Sequence, residues 1–453
     1  MIVMKFGGTS VGSAERIRSL VARIRERRER RPVVVVSALA GVTDLLIRGA
    51  RAALARDPAS DQVIKEMQAR HNDTIRDLVP AGEVRNRLLA QVEEVLAELR
   101  ILYTGVHYLE ELTPRSLDAI AGMGERVSCE IVAAALQQAD LPARALDARS
   151  VLLTDDSFGR AQPLLEETGA RVRQSVRPLA EAGTIPVLGG FIGSTREGVA
   201  TTLGRGGSDW SASVFGSLLP AEEIQIWTDV DGIMTLDPRV FPGARVIPKI
   251  SFDEAAELAY FGAKVLHPAS IKPAVERGIP VIILNSLNPA APGTLITAAA
   301  PGAEGEPRAI AFKKGISVIL IAQPRMLMAH GFVAQVFEVF ARHRTPVDLI
   351  ATSEVSISLT VDNPAALPAV QADLASLGEV RVISAMAIVS VVGRGFVRRS
   401  GLAGRIFQAL SSVNVVMISF GASDVNISFV VADADAEPAV RLLHREFFER
   451  GQP

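Results

Sequence analysis

The first apolar run of the chain ends in a lysine and two glycines, which together can offer a positive charge and backbone amides to an anion. The run begins at Ile2, and residues 5–11 read KFGGTSV, so that Lys5 is followed by Gly7, Gly8 and two hydroxyl side chains. A strand that delivers a cation and N–H groups to the start of a helix is suited to bind phosphate. The spacing is neither that of a P-loop nor that of a dinucleotide-binding glycine motif.

Three further glycine-containing segments follow runs that have the character of strands. They read LGGFIGS (188–194), TTLGRGGSD (201–209) and WTDVDG (227–232), the last ahead of a DPR triplet (237–239). Glycine lets a backbone approach a ligand closely, and Ser208 is predicted to cap the helix that follows it. Because the carboxyl ends of parallel strands share one edge of a sheet, these loops are expected to converge on one ligand. Their number predicts a large, multiply charged ligand such as a nucleoside triphosphate.

A small set of charged residues could carry phosphoryl transfer, which needs cations around the phosphate and a group that positions the nucleophile. Lys5 and Lys264 are candidate cations, and Arg205 has the planar fork that suits a substrate carboxylate. Asp209 and Glu125 are candidates for orienting an amine, a water or a lysine. Taken singly, each residue also fits an ordinary structural role, such as a surface lysine or an acidic first turn of a helix.

Composition excludes several classes of protein. The chain has 453 residues, of which 48% are hydrophobic and 22% charged, and its formal net charge is −2. More than one domain is therefore expected, and neither nucleic acid nor a membrane is expected as a partner. One cysteine, Cys129, rules out an internal disulfide and predicts a reducing, cytoplasmic location, and no signal peptide is expected. His107, His330 and His343 lack the spacing of metal ligands.

Short β-branched runs alternate with longer helical patterns over the first two thirds of the chain. Strands are predicted at 2–6, 32–37, 143–147, 184–188, 223–227 and 280–284, and helices at 14–30 and 62–78. This alternation predicts an α/β domain with a mainly parallel sheet that helices cover on both faces. Residues 288–307, rich in Pro, Ala and Gly, are predicted to be a loop and linker that closes the domain near residue 300.

Beyond that linker the sequence repeats itself at an offset of 70 residues. Gly331 matches Gly401, and the segments that begin at Ser353 and Ser423 match in the same register. Each repeat has the pattern strand, glycine-opened helix, strand, strand, helix, which is typical of a ferredoxin-like α+β module. Two interpretations remain open for the pair: duplicated packing domains, or ligand-sensing modules that control an enzyme.

Several of these segments together resemble aspartate kinase (aspartokinase). The matching segments are KFGGTSV (5–11), SALAGVT (37–43), GMGE (122–125), TTLGRGGSD (201–209), WTD (227–229) with DPR (237–239), and FGAKVLHP (261–268). The likeness extends over essentially the whole chain and is nearest to the monofunctional, lysine-sensitive branch. It implies an amino-acid-kinase three-layer sandwich at 1–300, followed by ACT modules at 308–384 and 385–453.

The resemblance implies ATP-dependent phosphorylation of the L-aspartate side chain to 4-phospho-L-aspartate, the first step toward lysine, threonine and methionine. Lys5 would steady the transferring phosphoryl group, and Asp209 would help to organise this lysine. Aspartate would be held by Ser37, Thr43, Glu125, Phe191, Arg205 and Ser208, with Glu125 on the α-ammonium and Arg205 on the α-carboxylate. ATP would be held by Lys5, Gly7, Gly8, Thr228, Asp229, Met234, Arg239 and Lys264, and Mg²⁺ would bind mainly through phosphate oxygens and water. Met234 stands where the family often has tyrosine.

The resemblance also implies an amino-acid effector bound by the repeated modules. The matching residues are Met326, Gly331, Val333, Val347, Asp348, Ser353 and Glu354, whereas Met328 and Ala329 replace an expected histidine and serine. Asp348 and Glu354 suit a cationic effector, so lysine is expected first, and threonine or a combination of the two stays open. ACT modules usually pair across subunits, so a homodimer or a dimer of dimers is expected. A sensor that no longer catalyses and another acyl-phosphate-forming kinase remain as alternatives.

Overall fold

The chain folds into two compact units. The computed structural model describes residues 1–262, 268–299, 304–323 and 330–449. The first unit contains the described residues of Met1–Ile233, Pro248–Phe252 and Val265–Ala300, and the second contains those of Met234–Ile247, Asp253–Lys264 and Pro301–Pro453. Two segments of the predicted domain 1–300 thus belong to the second unit. The predicted boundaries at 300, 308 and 384 stay a prediction.

The first unit is organised around a sheet of eight strands that are almost all parallel. Its strands, including a separate hairpin of β5 and β6, are β1 (Ile2–Phe6), β2 (Pro32–Val36), β3 (Ala143–Leu146), β4 (Ile185–Gly189), β5 (Ile192–Ser194), β6 (Ala200–Thr202), β7 (Glu223–Thr228), β8 (Lys249–Ser251), β9 (Val281–Asn285) and β10 (Thr294–Thr297). The order across the main sheet is β3-β4-β2-β1-β7-β9-β10-β8, and only β9 and β10 pair antiparallel. β1 and β2 are buried at every residue, as expected of strands covered on both faces.

Helices cover this sheet and supply most of the core around it. The helices up to residue 276 are α1 (Gly8–Val11), α2 (Ala14–Glu26), α3 (Val42–Leu54), α4 (Ala59–Leu78), α5 (Glu83–Leu109), α6 (Pro114–Ala121), α7 (Met123–Gln138), α8 (Leu165–Arg171), α9 (Arg177–Glu181), α10 (Gly207–Leu218), α11 (Phe252–Tyr260) and α12 (Pro268–Glu276). Of these, α11 belongs to the second unit from Asp253 onward. α7 is buried on nearly all sides, and Trp227 stacks on Phe6 with ring centroids 5.8 Å apart. No helix in the described ranges combines the length and the apolar character needed to cross a membrane.

The second unit is an antiparallel six-stranded sheet covered by helices. Its remaining elements are β11 (Pro307–Ala322), α13 (Phe332–Arg342), β12 (Ile350–Thr352), β13 (Ser356–Val361), α14 (Leu367–Leu374), β14 (Glu379–Gly393), α15 (Leu402–Ala409), β15 (Met417–Phe420), β16 (Asn426–Ala432) and α16 (Ala436–His444). The strand order is β12-β13-β11-β14-β16-β15. Gly331 and Gly401 precede α13 and α15 with φ of 83° and 81°, so the glycine-opened helix of each repeat is confirmed.

Most predicted elements are found within a few residues of the predicted bounds, and three local predictions are wrong. The linker 288–307 contains β10, because Thr294–Thr297 pairs with β9 and β8 between flanking Pro and Gly residues. The helix predicted at 14–30 ends at Glu26 and continues only as a 3₁₀ turn. Ser208 is not the cap of α10, because Gly206, with φ of 71°, caps the helix and lets it begin at Gly207, two residues earlier than expected.

Candidate active site

The carboxyl ends of the central strands surround a cavity of about 300 Å³ in the first unit. β1 lies between β2 and β7, which places the end of β1 at the middle of this edge. The predicted site residues that line the cavity are Lys5, Gly8, Ser37, Thr43, Glu125, Phe191, Ser208 and Asp209. The structure therefore brings together residues that stand more than 200 positions apart in the sequence, as expected for strand ends of a parallel sheet.

Lys5 and Asp209 form an ion pair at the centre of this edge. The Lys5 Nζ lies 2.6 Å from Asp209 Oδ1, and the two side chains are 10% and 13% exposed. Asp209 stands in the first turn of α10, and Lys5 is the fourth residue of β1. Because both side chains are fixed by regular elements, the ammonium is held in one place and faces the cavity through its remaining donors.

The two glycines after Lys5 differ in what they can offer to a ligand. The Gly7 amide donates to the Trp227 carbonyl at 3.0 Å, so it is not a bare donor, contrary to the sequence-based expectation. Gly8 lines the cavity as the first residue of α1. A Cβ on Gly8 would lie 3.2 Å from the Ala38 carbonyl oxygen, so a side chain at this position would press on the cavity wall. The Gly7 amide thus links the end of β1 to β7, whereas Gly8, which has no side chain, leaves space in the cavity next to Ala38.

Glu125 lines the cavity as a buried carboxyl group that forms no ion pair with any described residue. It stands in the first turn of α7, only 2% exposed, and its Oε2 has no hydrogen-bond partner among the described residues. Burial raises the pKa of Glu125 to about 8, although backbone donors counteract part of this effect. A ligand ammonium beside this group would supply the missing charge and donor. Glu125 therefore has the environment of a ligand-binding carboxylate rather than of a structural one.

Two serines connect the walls of the cavity. Ser37 Oγ donates to Ser208 Oγ at 2.9 Å, and Ser128 Oγ donates to the Ser37 carbonyl at 2.8 Å. Ser208 thus contributes its hydroxyl to the site from inside α10. Arg205 stands in the turn before α10 with an exposed side chain, does not line the cavity and makes no ion pair with any described residue.

Phe191 lines the cavity with a strained backbone. Its φ is +67°, a value that bulky residues rarely adopt. Its amide donates to Ser211 Oγ at 3.0 Å, and its carbonyl accepts from the Leu203 amide at 2.9 Å. These bonds hold the residue from both sides, so the strain is fixed by the surrounding fold, as is common at binding sites.

The predicted nucleotide residues fall into three groups. Thr228 ends β7, its carbonyl accepts from the Ser286 amide at 2.8 Å, and its hydroxyl donates to the exposed Asp229 at 3.2 Å. Met234 and Arg239 belong to the second unit, where Arg239 pairs with Asp237 at 2.6 Å. Lys264 lies outside the described residues.

Sequence reasoning missed two acidic residues near the cavity. Asp118 is buried on α6 and accepts hydrogen bonds from the Gly159 amide at 2.8 Å, the Thr202 amide at 2.9 Å and the Thr202 hydroxyl at 2.6 Å. It thereby fixes the end of β6, where the segment 203–209 begins. Asp44 lines the cavity beside Thr43. In the sequence, Asp44 could have been found only because it follows Thr43, a predicted site residue. Nothing local distinguishes Asp118 from a solvent-facing helical aspartate.

No group of three or more His, Cys, Asp or Glu side chains within the described ranges could hold a metal ion. An ion that needs several protein ligands therefore does not fit this donor set. Mg²⁺ fits in another way, since it usually keeps several waters and binds through phosphate oxygens and one or two carboxylates. Asp44 and Asp209 are the carboxylates that line the cavity beside Glu125.

The predicted effector residues that the structure describes lie in the second unit. Gly331 precedes α13, Val333 is exposed on that helix, and Val347 and Asp348 precede β12. Ser353 and Glu354 connect β12 to β13, where the Ser353 amide donates to the Ser356 carbonyl at 2.8 Å. Met326, Met328 and Ala329 lie outside the described residues.

Comparisons with known proteins agree with this arrangement. Residues 1–285 match the amino acid kinase family, and residues 319–372 and 389–447 match the ACT domain. The lysine-sensitive aspartokinase 3 of Escherichia coli (strain K12) is 36% identical over 466 residues, which cover 99% of each chain. The chain belongs to the aspartokinase family. Aspartokinase 2, chloroplastic, of Arabidopsis thaliana is 39% identical, covering 99% of this chain and 84% of the relative.

Solved structures of aspartokinases show the same architecture. E. coli aspartokinase III in complex with aspartate and ADP (R-state) is 34% identical with a TM-score of 0.86, covering 99% of this chain and 100% of the other. The complex with lysine and aspartate (T-state) gives a TM-score of 0.82 at 34% identity, covering 99% of each chain. The predicted fold class, a mainly parallel α/β kinase domain followed by ACT modules, is confirmed for this member of the aspartokinase family.

Proposed function

We propose that this aspartokinase-family chain transfers the γ-phosphoryl group of ATP to the side-chain carboxylate of L-aspartate, giving ADP and 4-phospho-L-aspartate. The observation that carries the proposal is one cavity that holds both a fixed ammonium, Lys5 on Asp209, and a buried carboxyl without a counter-ion, Glu125. A zwitterionic substrate that receives a phosphoryl group needs both. The E. coli relative of known structure was captured with aspartate and ADP.

The reaction needs no proton donor or acceptor from the protein. A carboxylate oxygen of aspartate forms a bond to the γ-phosphorus, the bond from that phosphorus to the bridging oxygen breaks, and ADP carries the electron pair away. Lys5 stabilises the charge on the equatorial oxygens of the group in transit. Asp209 positions Lys5. When bound, Mg²⁺ would neutralise charge on the phosphates, and Asp44 and Asp209 are the cavity carboxylates that would hold it.

The remaining residues bind and orient the two substrates. Glu125 receives the α-ammonium of aspartate and Arg205 its α-carboxylate, so that the side-chain carboxylate faces ATP. Ser37, Thr43, Phe191 and Ser208 complete the aspartate site, and five of these six residues line the cavity, Arg205 being the exception. For the nucleotide the proposal retains Gly7, Gly8, Thr228, Asp229, Met234, Arg239 and Lys264.

Regulation and assembly form the second part of the proposal. Lysine binds the ACT modules and inhibits the kinase, with threonine as the other candidate, since the E. coli relative is lysine-sensitive. The site comprises Met326, Gly331, Val333, Val347, Asp348, Ser353 and Glu354. We also propose a homodimer or dimer of dimers assembled through the ACT modules, and a cytoplasmic location, which the single buried thiol of Cys129 supports.

A coupled assay of ADP release tests the proposal. Turnover is expected to require both aspartate and Mg²⁺, with hydroxylamine trapping the acyl phosphate as a hydroxamate. Titration with lysine, threonine and both together then identifies the effector. Phosphorylation of glutamate or N-acetylglutamate without turnover of aspartate would contradict the substrate assignment, and a flat response to all effectors would contradict the regulatory one.

A further inference from the structure

Four side chains of the second unit form a cluster around a predicted effector residue. They are Tyr260, Lys313, Asp348 and Asp362, and we call them the Asp348 cluster. The Tyr260 hydroxyl donates to Asp348 Oδ1 at 2.7 Å, and the Lys313 Nζ lies 3.8 Å from the same oxygen. The Lys313 Nζ also lies 2.6 Å from Asp362 Oδ2 and 5.6 Å from the centre of the Tyr260 ring. Only Asp348 was singled out from the sequence.

Asp348 is the buried member of this cluster and can accept a further donor. Its side chain is 4% exposed, and its Oδ2 is buried without a hydrogen-bond partner among the described residues. Burial raises the pKa of Asp348, while the Tyr260 hydroxyl and the Lys313 ammonium act in the opposite direction. A carboxylate in this environment gains from every additional donor, because an unpaired buried charge is costly.

Lys313 places on Asp348 the same chemical group that a lysine effector would bring. Its ammonium is shared between two carboxylates, and the side chain is 28% exposed. Two carboxylates and one ammonium leave the cluster with an excess of negative charge. A second ammonium from an effector would neutralise this excess. It can approach the carboxylate at Oδ2, and its positive charge would repel Lys313 from the same carboxylate.

We propose that Tyr260 and Lys313 hold Asp348 in the effector-free enzyme, and that a cationic amino-acid effector binds by taking Asp348 over from them. The inference rests on the proposed effector site and adds two residues that set its affinity. Tyr260 is the last residue of α11 and stands four residues before Lys264, the predicted nucleotide-binding lysine.

Calorimetric titration of the full chain with L-lysine tests the competition directly. Lys313→Met removes the internal ammonium and keeps the length of the side chain, so lysine is expected to bind about threefold to tenfold more tightly than to the wild type. Lys314→Met is the matched control, because Lys314 is the next residue and pairs with Glu437 at 2.9 Å instead. Its affinity for lysine is expected to equal that of the wild type.

Tyr260→Phe tests the second contact, because it removes only the hydroxyl that donates to Asp348. Lysine is expected to bind this variant about twofold to fivefold more tightly and to inhibit at a correspondingly lower concentration. Tyr108→Phe, at a tyrosine 76% exposed on α5, is the control. Cooperative thermal unfolding of each variant checks that it is folded.

The outcomes separate this inference from the proposed function. Unchanged or weaker lysine affinity in both Lys313→Met and Tyr260→Phe, with a wild type that binds lysine, would overturn the competition and leave the effector site intact. A wild type that releases ADP with aspartate but binds no lysine would overturn the effector assignment and this inference together, and would leave the kinase in place. A wild type without turnover of aspartate would instead contradict the kinase.

Discussion

The kinase cavity and the Asp348 cluster each contain a buried carboxyl group and a lysine, but they combine them differently. In the cavity, Lys5 pairs with Asp209, and Glu125 is left without a counter-ion. In the cluster, Lys313 and Tyr260 already occupy the carboxylate. A carboxyl without a counter-ion receives its ligand without displacing an internal cation, whereas one held by an internal lysine yields only to a ligand that competes. The comparison explains how a substrate can bind without such a competitor while an effector acts only above a threshold concentration.

The largest expected effect is on the lysine of the cavity. Lys5→Met should lower kcat at least about 10³-fold with a much smaller change in the KM for aspartate, because the ammonium acts on charge that develops in the transition state. Steady-state kinetics measure both. Lys272→Met, at a lysine whose side chain is 75% exposed on α12, is the control. If the Lys5 variant changed only KM, Lys5 would act in ground-state binding. The contrast drawn between Lys5 and Lys313 would then fail.

Removal of the charge from each carboxylate should separate substrate from effector. Glu125→Gln should raise the KM for aspartate about 30-fold to 100-fold, since a charge-assisted hydrogen bond to the ammonium is lost. Asp348→Asn should raise the concentration of lysine needed for half-inhibition by a similar factor. The comparison would fail if Glu125→Gln altered inhibition by lysine or if Asp348→Asn altered only the KM for aspartate.

Stability should distinguish a carboxyl group that awaits a ligand from one that is satisfied within the fold. The pKa of Glu125 is raised from 4.5 to about 8, so between these values the folded chain retains a proton that the unfolded chain has lost. The stability that this proton supplies is complete below pH 4.5 and is lost as the pH rises through 8. Glu125→Gln escapes this loss and should be more stable than the wild type at pH 8.5 by about 1–2 kcal/mol.

Asp118 provides the opposite case, because its hydrogen-bond partners among the described residues are donors of the protein itself. Asp118→Ala should lower the free energy of unfolding by about 2–3 kcal/mol, since three donors near the end of β6 lose their acceptor. Denaturant unfolding without ligands at pH 8.5 measures both variants. Destabilisation by Glu125→Gln of the same size would mean that Glu125 supports the fold rather than a ligand.

The smallest expected effect is at the exposed arginine. Arg205→Ala should raise the KM for aspartate about tenfold and leave kcat within a factor of about three, because the guanidinium binds the α-carboxylate equally in ground and transition states. Arg160→Ala offers a comparison at another arginine of the same unit. A loss confined to kcat would place Arg205 on the phosphoryl group instead of on aspartate.

The sequence allowed correct prediction of those parts of the fold that are encoded by residues close together in the chain. The apolar runs of β1 and β2, the glycine-containing ends of the strands and the 70-residue repeat are all periodic or contiguous signals. Because parallel strands collect their carboxyl ends at one edge, Lys5 and Asp209 could be assigned to one site before their distance was known, and the resemblance to aspartate kinase added Glu125.

Features that depend on partners distant in the sequence could not be predicted in the same way. β10 is a strand because β9 and β8 pair with it, although Pro and Gly flank it. Asp118 differs from an exposed aspartate only through Gly159 and Thr202, and Tyr260 reaches Asp348 across 88 positions of the chain. Gly206 began α10 earlier than expected because its positive φ, which sequence does not display, lets the chain enter the helix.

The pH dependence of kcat/KM for aspartate tests most directly whether the carboxylate of Glu125 receives the substrate. This parameter reports the free enzyme, in which burial raises the pKa of Glu125 to about 8. The wild-type value should therefore fall about tenfold per pH unit below that pKa, while kcat should stay level to lower pH because the bound ammonium favours the ionised carboxylate. Glu125→Gln should remove this slope. A slope near pH 8 that persists in Glu125→Gln would contradict the proposal.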